Sequence, residues 1–264
     1  MQKTIKIKCP AKINLDLRVF PKDEKTGYHN IKSIMQTISL FDYLTISIDE
    51  GNEIILKGNS DEIPYNESNI CYKAVEKILN KLNKKLKVEI YIEKNIPVCA
   101  GLAGGSTDGA GVLYGLNKLL NEPLALEEIN LLASELGSDL NFCLMGGTKL
   151  CTGRGEKLLN MPFYNFKLSL IKPKNLKISA KEAYEAFDEL KEESDIRNDL
   201  EFALLKQGKY EELEYLNMLG LQMSGSGPTF FLRDENIDFE IDKEKYEIYN
   251  NLNSVNHGVI EIAN

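Results

Sequence analysis

The chain has no CxxC pair, no GxGxxG, no Walker A loop, no internal repeat, no low-complexity linker and no apolar run long enough to cross a membrane. Each absence removes a class of protein. Cys9, Cys71, Cys99, Cys143 and Cys151 are odd in number and scattered, which argues against a disulfide framework and a zinc site and fits a reducing cytoplasm. Charge at Lys3, Lys6, Lys8, Lys12 and Asp16 interrupts the N-terminal stretch, unlike a secretory leader, so a soluble, cytoplasmic chain is expected. A formal charge of −8 provides no broad basic surface for nucleic acid or an anionic membrane, and neither is expected as a partner; a local basic pocket stays open.

What is present reads as a globular α+β protein. At 264 residues and 43% hydrophobic content there is material for one large domain or two of ordinary size. Strand-like alternation opens the chain in TIKIKCPAKINLDLRVF and returns in LKVEIYIEK, TKLCTG, KLSLIKP, PTFFL and GVIEIAN. Helical patterns fall near 69–83, 108–120, 126–136, 179–192, 196–206 and 209–218, which gives a two-layer α+β architecture. The mixed stretch 153–165 is the candidate boundary, dividing the chain into 1–155 and 156–264.

Chemistry concentrates in three places. PVCAGLAGGSTDGAG, residues 97–111, lies between a strand and a helix expected from Asp108, with Ser106, Thr107 and Asp108 as N-cap types. Glycines at 101, 104 and 105 let backbone amides approach an anion at a helix N-terminus; the same residues also suit a plain turn and cap. Gly105 precedes Ser106 where a Walker A loop needs lysine. In the first strand, Ala11, Ile13, Leu15, Leu17 and Val19 alternate with Lys12, Asn14, Asp16 and Arg18, and the polar face is either solvent-exposed or the wall of a pocket. Asp139, after a helix that should end at Gly137, suits a helix cap or a general base. In LQMSGSGPTFFL, Gly225 and Gly227 shape a tight turn before an apolar strand.

PAKINLDL, PVCAGLAGGSTDGAG and MSGSGPTFF, in this order and spacing, resemble the three signature motifs of the GHMP kinases, ATP-dependent kinases of small alcohols. GYHNIKSIMQTISLFDYLTI and RNDLE resemble the branch of that family acting on 4-diphosphocytidyl-2-C-methyl-D-erythritol, in the non-mevalonate route to isoprenoids. The resemblance spans essentially the whole chain. It implies an N-terminal domain like the second domain of ribosomal protein S5, a ferredoxin-like C-terminal domain, and an active site between them.

The resemblance also implies roles. Asp139 would take the proton of the substrate's 2-hydroxyl, and Lys12 would pair with it and neutralise charge at the γ-phosphate. Asn14 would orient the methylerythritol moiety. Tyr28 and His29 would contact substrate, with the imidazole packed on the cytosine ring. Pro97, Val98, Cys99, Ala100, Gly101, Leu102, Ala103, Gly104, Gly105, Ser106 and Thr107 match the ATP-phosphate loop, Asn69 and Lys94 lie near the adenine, and Gly225, Ser226 and Gly227 support the site.

Magnesium is expected with ATP, but no acidic cluster marks its ligands; Ser106 and Thr107 are possible hydroxyl donors. A monomer or weak homodimer is expected. Gly109 and Gly111 stand where relatives often carry alanine, which predicts a looser junction between loop and helix, and Asp16 and Arg18 receive no catalytic role. The other readings are a family kinase for a different alcohol, such as mevalonate or homoserine, against which the GYH segment argues, and a silent ligand-binding sensor, against which Lys12 and Asp139 argue.

Overall fold

The computed structural model describes residues 3–190, 192–234 and 240–262. Its frame is a long antiparallel pair, β1 (Lys3–Lys22) and β2 (His29–Asp49). β3 (Glu53–Gly58) and β4 (Lys87–Glu93) extend this sheet beyond β2, β5 (Thr148–Gly153) and β6 (Lys157–Asn160) branch from β2, and β11 (Ile260–Glu261) closes against β1. The second sheet has the order β10-β7-β9-β8, from β7 (Lys167–Pro173), β8 (Gln222–Met223), β9 (Phe230–Arg233) and β10 (Tyr246–Asn253). The first sheet thus runs on to Asn160 and regains a strand near the end of the chain.

The helices are α1 (Ile70–Lys81), α2 (Gly104–Leu119), α3 (Leu126–Leu136), α4 (Leu140–Met145), α5 (Ala180–Glu189), α6 (Asp199–Gln207) and α7 (Glu211–Met218). Each expected helix is present near its expected bounds except α2, which starts four residues early. Its N-cap is Ala103 in the left-handed region at φ 58°, so Ser106, Thr107 and Asp108 lie within its first turns rather than at the cap. The α+β expectation holds. None of the helices among the described residues is long and apolar enough to cross a membrane, and all five cysteines are free thiols.

β1 does not keep one apolar face along its length. Ile5, Ile7 and Cys9 pack into the main core with α2, Ala11 and Ile13 join a second core with Leu168, Leu170 and Phe231, and Leu17 and Val19 return to the first. The exchanges coincide with register shifts between Pro10 and Ala11 and between Asn14 and Asp16. An irregularity of this kind re-aims every following side chain. It turns Lys12 and Asn14 toward the loop before α2 and buries them, at 4% and 2% exposure, so their polar face is a pocket wall and not a solvated one.

Gly111 is a packing device rather than a loosening one. A Cβ there would lie 2.5 Å from Cys9 Sγ and 2.9 Å from Leu44 Cδ1, so glycine lets α2 settle onto β1 and β2. Gly111→Ala should therefore destabilise by about 1–3 kcal/mol through overpacking, despite a gain in helix propensity of about 1 kcal/mol. A urea titration checks it, and a midpoint above that of the wild-type protein would show that the core yields instead.

Candidate active site

Two clefts meet at the start of α2. One, of about 380 Å³, is lined by Lys12, Asn14, Ser138, Asp139, Arg154, Tyr184, Gly225 and Ser226 among others. The other, of about 420 Å³, is lined by Asn69, Lys94, Pro97 to Gly101 and Ala103 to Ser106, together with Ile63, Pro64, Ile70 and Asp108. Gly101, Ala103 and Ser106 face both. A polyphosphate lying in the second cleft would therefore present its end to the first, over the free amides and positive dipole end of α2.

Lys12 is the centre of the first cleft. Its Nζ donates to Asn14 Oδ1 at 2.7 Å and to the Gly101 carbonyl at 3.0 Å, and stands 3.8 Å from Asp139 Oδ2. Asn14 Nδ2 donates in turn to Ser33 Oγ, which donates to the Asp16 carbonyl. Asp139 occupies the N-cap position of α4 in helical geometry, but its side chain makes no cap bond. Its carboxylate is partly exposed and makes no cap bond, so the side chain does not serve α4 as a cap. The third motif closes the same point: a Cβ on Gly225 would sit 3.0 Å from Lys12 Nζ, and one on Gly101 would sit 2.1 Å from the Ser224 carbonyl. Ser224 Oγ donates to the Gly101 carbonyl, so the second and third motifs touch, and Gly227 leads into a cis bond to Pro228.

The second cleft holds its two flanking residues tightly. Asn69 caps α1 by accepting from Cys71 N at 2.8 Å and donates to the Pro64 carbonyl at 2.6 Å. Lys94 lines the cleft, and its ammonium is sunk between Asp42 and Asp108, 2.9 Å from Asp108 Oδ2. Burial pushes the Asp108 carboxyl well above the usual range, the Asp42 charge adds to this, and Lys94 opposes it. The carboxylates in turn hold the Lys94 ammonium charged against its burial. Asp42 also accepts the amides of Asn95 and Ile96, so the cluster fastens the chain after β4 to α2.

A third hollow, of about 310 Å³, adjoins the first and is lined by Lys22, Tyr28, His29, Ser138, Arg154, Lys181 and Tyr184 among others. The His29 ring is not open on both faces. It stacks on Tyr184 at 5.1 Å and 24°, meets Phe187 edge-on, and its Nδ1 lies 2.7 Å from the Phe20 carbonyl with Nε2 3.2 Å from Asp188 Oδ1. Tyr28, 59% exposed, is the more open ring on this wall. Lys22 and Lys181 pair with Asp188 and Glu185. Arg154 has no carboxylate ion pair among the described residues; its guanidinium lies 5.3 Å over the Tyr28 ring. Arg154, Ser138 and Tyr184 face both this hollow and the Lys12 cleft. Sequence reading missed Arg154 and Tyr184; an arginine between two glycines in GRGEK was the available signal.

The family model described as GHMP kinases N terminal domain matches residues 69–147. A 4-diphosphocytidyl-2-C-methyl-D-erythritol kinase of Syntrophomonas wolfei is 38% identical, covering 89% of this chain and 92% of the relative. The chain belongs to the GHMP kinase family. A second kinase of the same name, from Clostridioides difficile, is 39% identical with 86% of each chain covered. A crystal structure of 4-(cytidine 5'-diphospho)-2C-methyl-D-erythritol kinase superposes with a TM-score of 0.70 at 28% identity, covering 88% of this chain and 89% of that one. A homoserine kinase of Cytophaga hutchinsonii reaches the same TM-score at 16% identity, which bears on the GHMP kinase fold alone.

The Lys94 cluster yields a test. Lys94→Met leaves two buried carboxyl groups without their cation and should cost about 3–5 kcal/mol. The Asp108 carboxyl, already raised by burial and opposed in this by Lys94, gains stability as pH falls, so the deficit should be smaller at pH 5 than at pH 8. Thermal unfolding at both values reads this, and an equal deficit at the two would remove the two carboxyl groups as its cause.

Proposed function

We propose that the chain transfers the γ-phosphoryl group of ATP to the 2-hydroxyl of 4-diphosphocytidyl-2-C-methyl-D-erythritol, giving the 2-phosphate and ADP in the non-mevalonate route to isoprenoid precursors. The observation that carries this reading is the Lys12–Asp139 pair at 3.8 Å where the phosphate-loop cleft opens into the alcohol cleft. Relatives of that name, 37–40% identical over most of the chain, support the substrate.

ATP would lie in the cleft of Asn69 and Lys94, with its phosphates over the loop from Pro97 to Thr107. Asp139 would accept the 2-hydroxyl proton as that oxygen attacks the γ-phosphorus, while the β,γ-bridging oxygen leaves with ADP. Lys12 would neutralise charge on the transferring group, and Asn14 would orient the alcohol. The cytosine would sit in the hollow of Tyr28, His29 and Tyr184, against Tyr28 as the more open ring and along the edge of His29. The substrate's diphosphate must then pass between the hollow and the Lys12 cleft, beside Arg154, the cation with no carboxylate partner there.

Magnesium suits the donors present. Among the described residues there is no cluster of three potential acidic, histidine or cysteine ligands, and Ser106 faces both clefts, whereas Thr107 is fully buried. Ser106 would be the hydroxyl donor to an ion held mainly by phosphate oxygens and water, supplying charge neutralisation there.

ADP release from Mg-ATP with the cytidyl substrate, set beside mevalonate and homoserine, tests the reading. Turnover should be selective for the cytidyl alcohol, and Asp139→Asn should lower kcat by about 10²–10⁴-fold. Turnover of mevalonate or homoserine instead would move the chain to another branch of the family, and no turnover by folded, ATP-binding protein would favour a silent sensor. Arg154→Gln should raise KM for the cytidyl substrate about 10–100-fold by removing a charged hydrogen bond, with KM for ATP unchanged. An unchanged KM for the cytidyl substrate would take the diphosphate away from Arg154.

A further inference from the structure

The segment from Arg197 to Glu201, at the start of α6, binds both halves of the active site. On one side it holds β1, the strand that carries Lys12 and Asn14. Leu17 N donates to the Arg197 carbonyl at 2.8 Å, and Asp199 accepts from Val19 N at 2.8 Å and from Arg18 Nη1 at 2.9 Å. On the other side it holds the third motif. Asn198 Nδ2 donates to the Met223 and Gly225 carbonyls, each at 2.9 Å, and Glu201 Oε2 accepts from Met223 N at 3.0 Å.

Asn198 is fully buried and lines neither cleft, so it does not touch substrate. Its Oδ1 accepts from the amides of Leu200 and Glu201, which caps α6, while its NH₂ group serves the turn. That use fills the hydrogen-bonding capacity of a side-chain amide. Capping uses the oxygen alone, and burial requires that the two donors find acceptors but not that these be carbonyls of the third motif. Gly225, one of the residues so held, is the residue whose Cβ position lies 3.0 Å from Lys12 Nζ and 3.2 Å from Asn14 Oδ1. Burial of Glu201 raises its carboxyl to about 7, against the pull of Met223 N and Asn217.

We propose that Asn198 is a positioning residue for phosphoryl transfer, its amide holding the third-motif turn against Lys12 so that the ammonium stays beside Asp139. The inference rests on the kinase reading above. A group that fixes a reacting pair acts on kcat, because small displacements in such a pair cost rate out of proportion to binding.

The test uses Asn198→Ser and Asn198→Asp, which both keep an oxygen able to cap α6 and lose the two donors. The serine variant serves if the buried carboxylate of the aspartate variant prevents folding. Steady-state kinetics should show kcat reduced at least tenfold with both KM values within threefold of wild type. Hydrogen exchange should accelerate at residues 223–227. Asn117→Ala is the control: Asn117 holds both backbone groups of Leu124 away from the site, so its loss should leave kcat unchanged. A folded Asn198→Ser variant with wild-type kcat, or an equal kcat loss in Asn117→Ala, would overturn the proposal. If the wild-type chain phosphorylates no alcohol, the kinase reading fails separately, and the exchange at 223–227 still decides the clamp: wild-type protection in Asn198→Ser would overturn it.

Discussion

The ammonium of a lysine that is 4% exposed must find acceptors within the protein, and the site is built around that need at Lys12. Its partners come from three separate stretches of chain: Asn14 on the same strand, the Gly101 carbonyl of the loop before α2, and Asp139 at the head of α4. The third motif fills the remaining side with bare backbone at Gly225. A Cβ at Gly101 or Gly225 would drive these segments apart, so the glycines of the two motifs are set by closeness to each other as well as by any ligand. This convergence also explains the long β1–β2 pair, whose register shifts bring Lys12 round to face the loop.

Much of this was legible in the sequence, for identifiable reasons. The helices α1, α3, α5, α6 and α7 follow from apolar periodicity and lie near their expected bounds, and β5 and β7 coincide with TKLCTG and KLSLIKP. These are local signals. The start of α2 was misread because glycine has low helix propensity, and the gain from packing α2 on β1 is invisible locally. The short strand β3 exists through pairing with the distant β4, and β6 and β8 through hairpin pairing with β5 and β9, rather than through a pattern of their own.

The site divides along the same line. Lys12, Asn14, Asp139 and the phosphate loop were found as residue types in a recurring order, and the structure brings them to one junction. What escaped was commitment: which groups are already bound. Lys94 is sealed between Asp42 and Asp108, Asn69 is engaged at both ends of its amide, and His29 has a face covered by Tyr184. The partners of Lys94 and His29 are remote in sequence, so no window could have registered them, whereas Asn69 is engaged locally, by Pro64 and Cys71. The same blindness hid Arg154, which among the described residues has no carboxylate partner, unlike Lys22 and Lys181.

Commitment also resolves how a chain of formal charge −8 can accommodate two polyanions side by side. The carboxyl groups nearest the clefts are largely withdrawn from the local field. Asp42 and Asp108 share Lys94, Asp199 is bound by Arg18 and Val19 N, and burial favours the neutral forms of Asp108 and Glu201. What faces the clefts is the dipole end of α2, the Lys12 ammonium and the Arg154 guanidinium, all sources of positive potential within low-dielectric walls. Net charge is therefore a poor guide to what this site binds. The acidic excess is carried elsewhere or held neutral by burial, and the carboxylate that lines the Lys12 cleft, Asp139, stands 3.8 Å from the Lys12 ammonium, which offsets its charge.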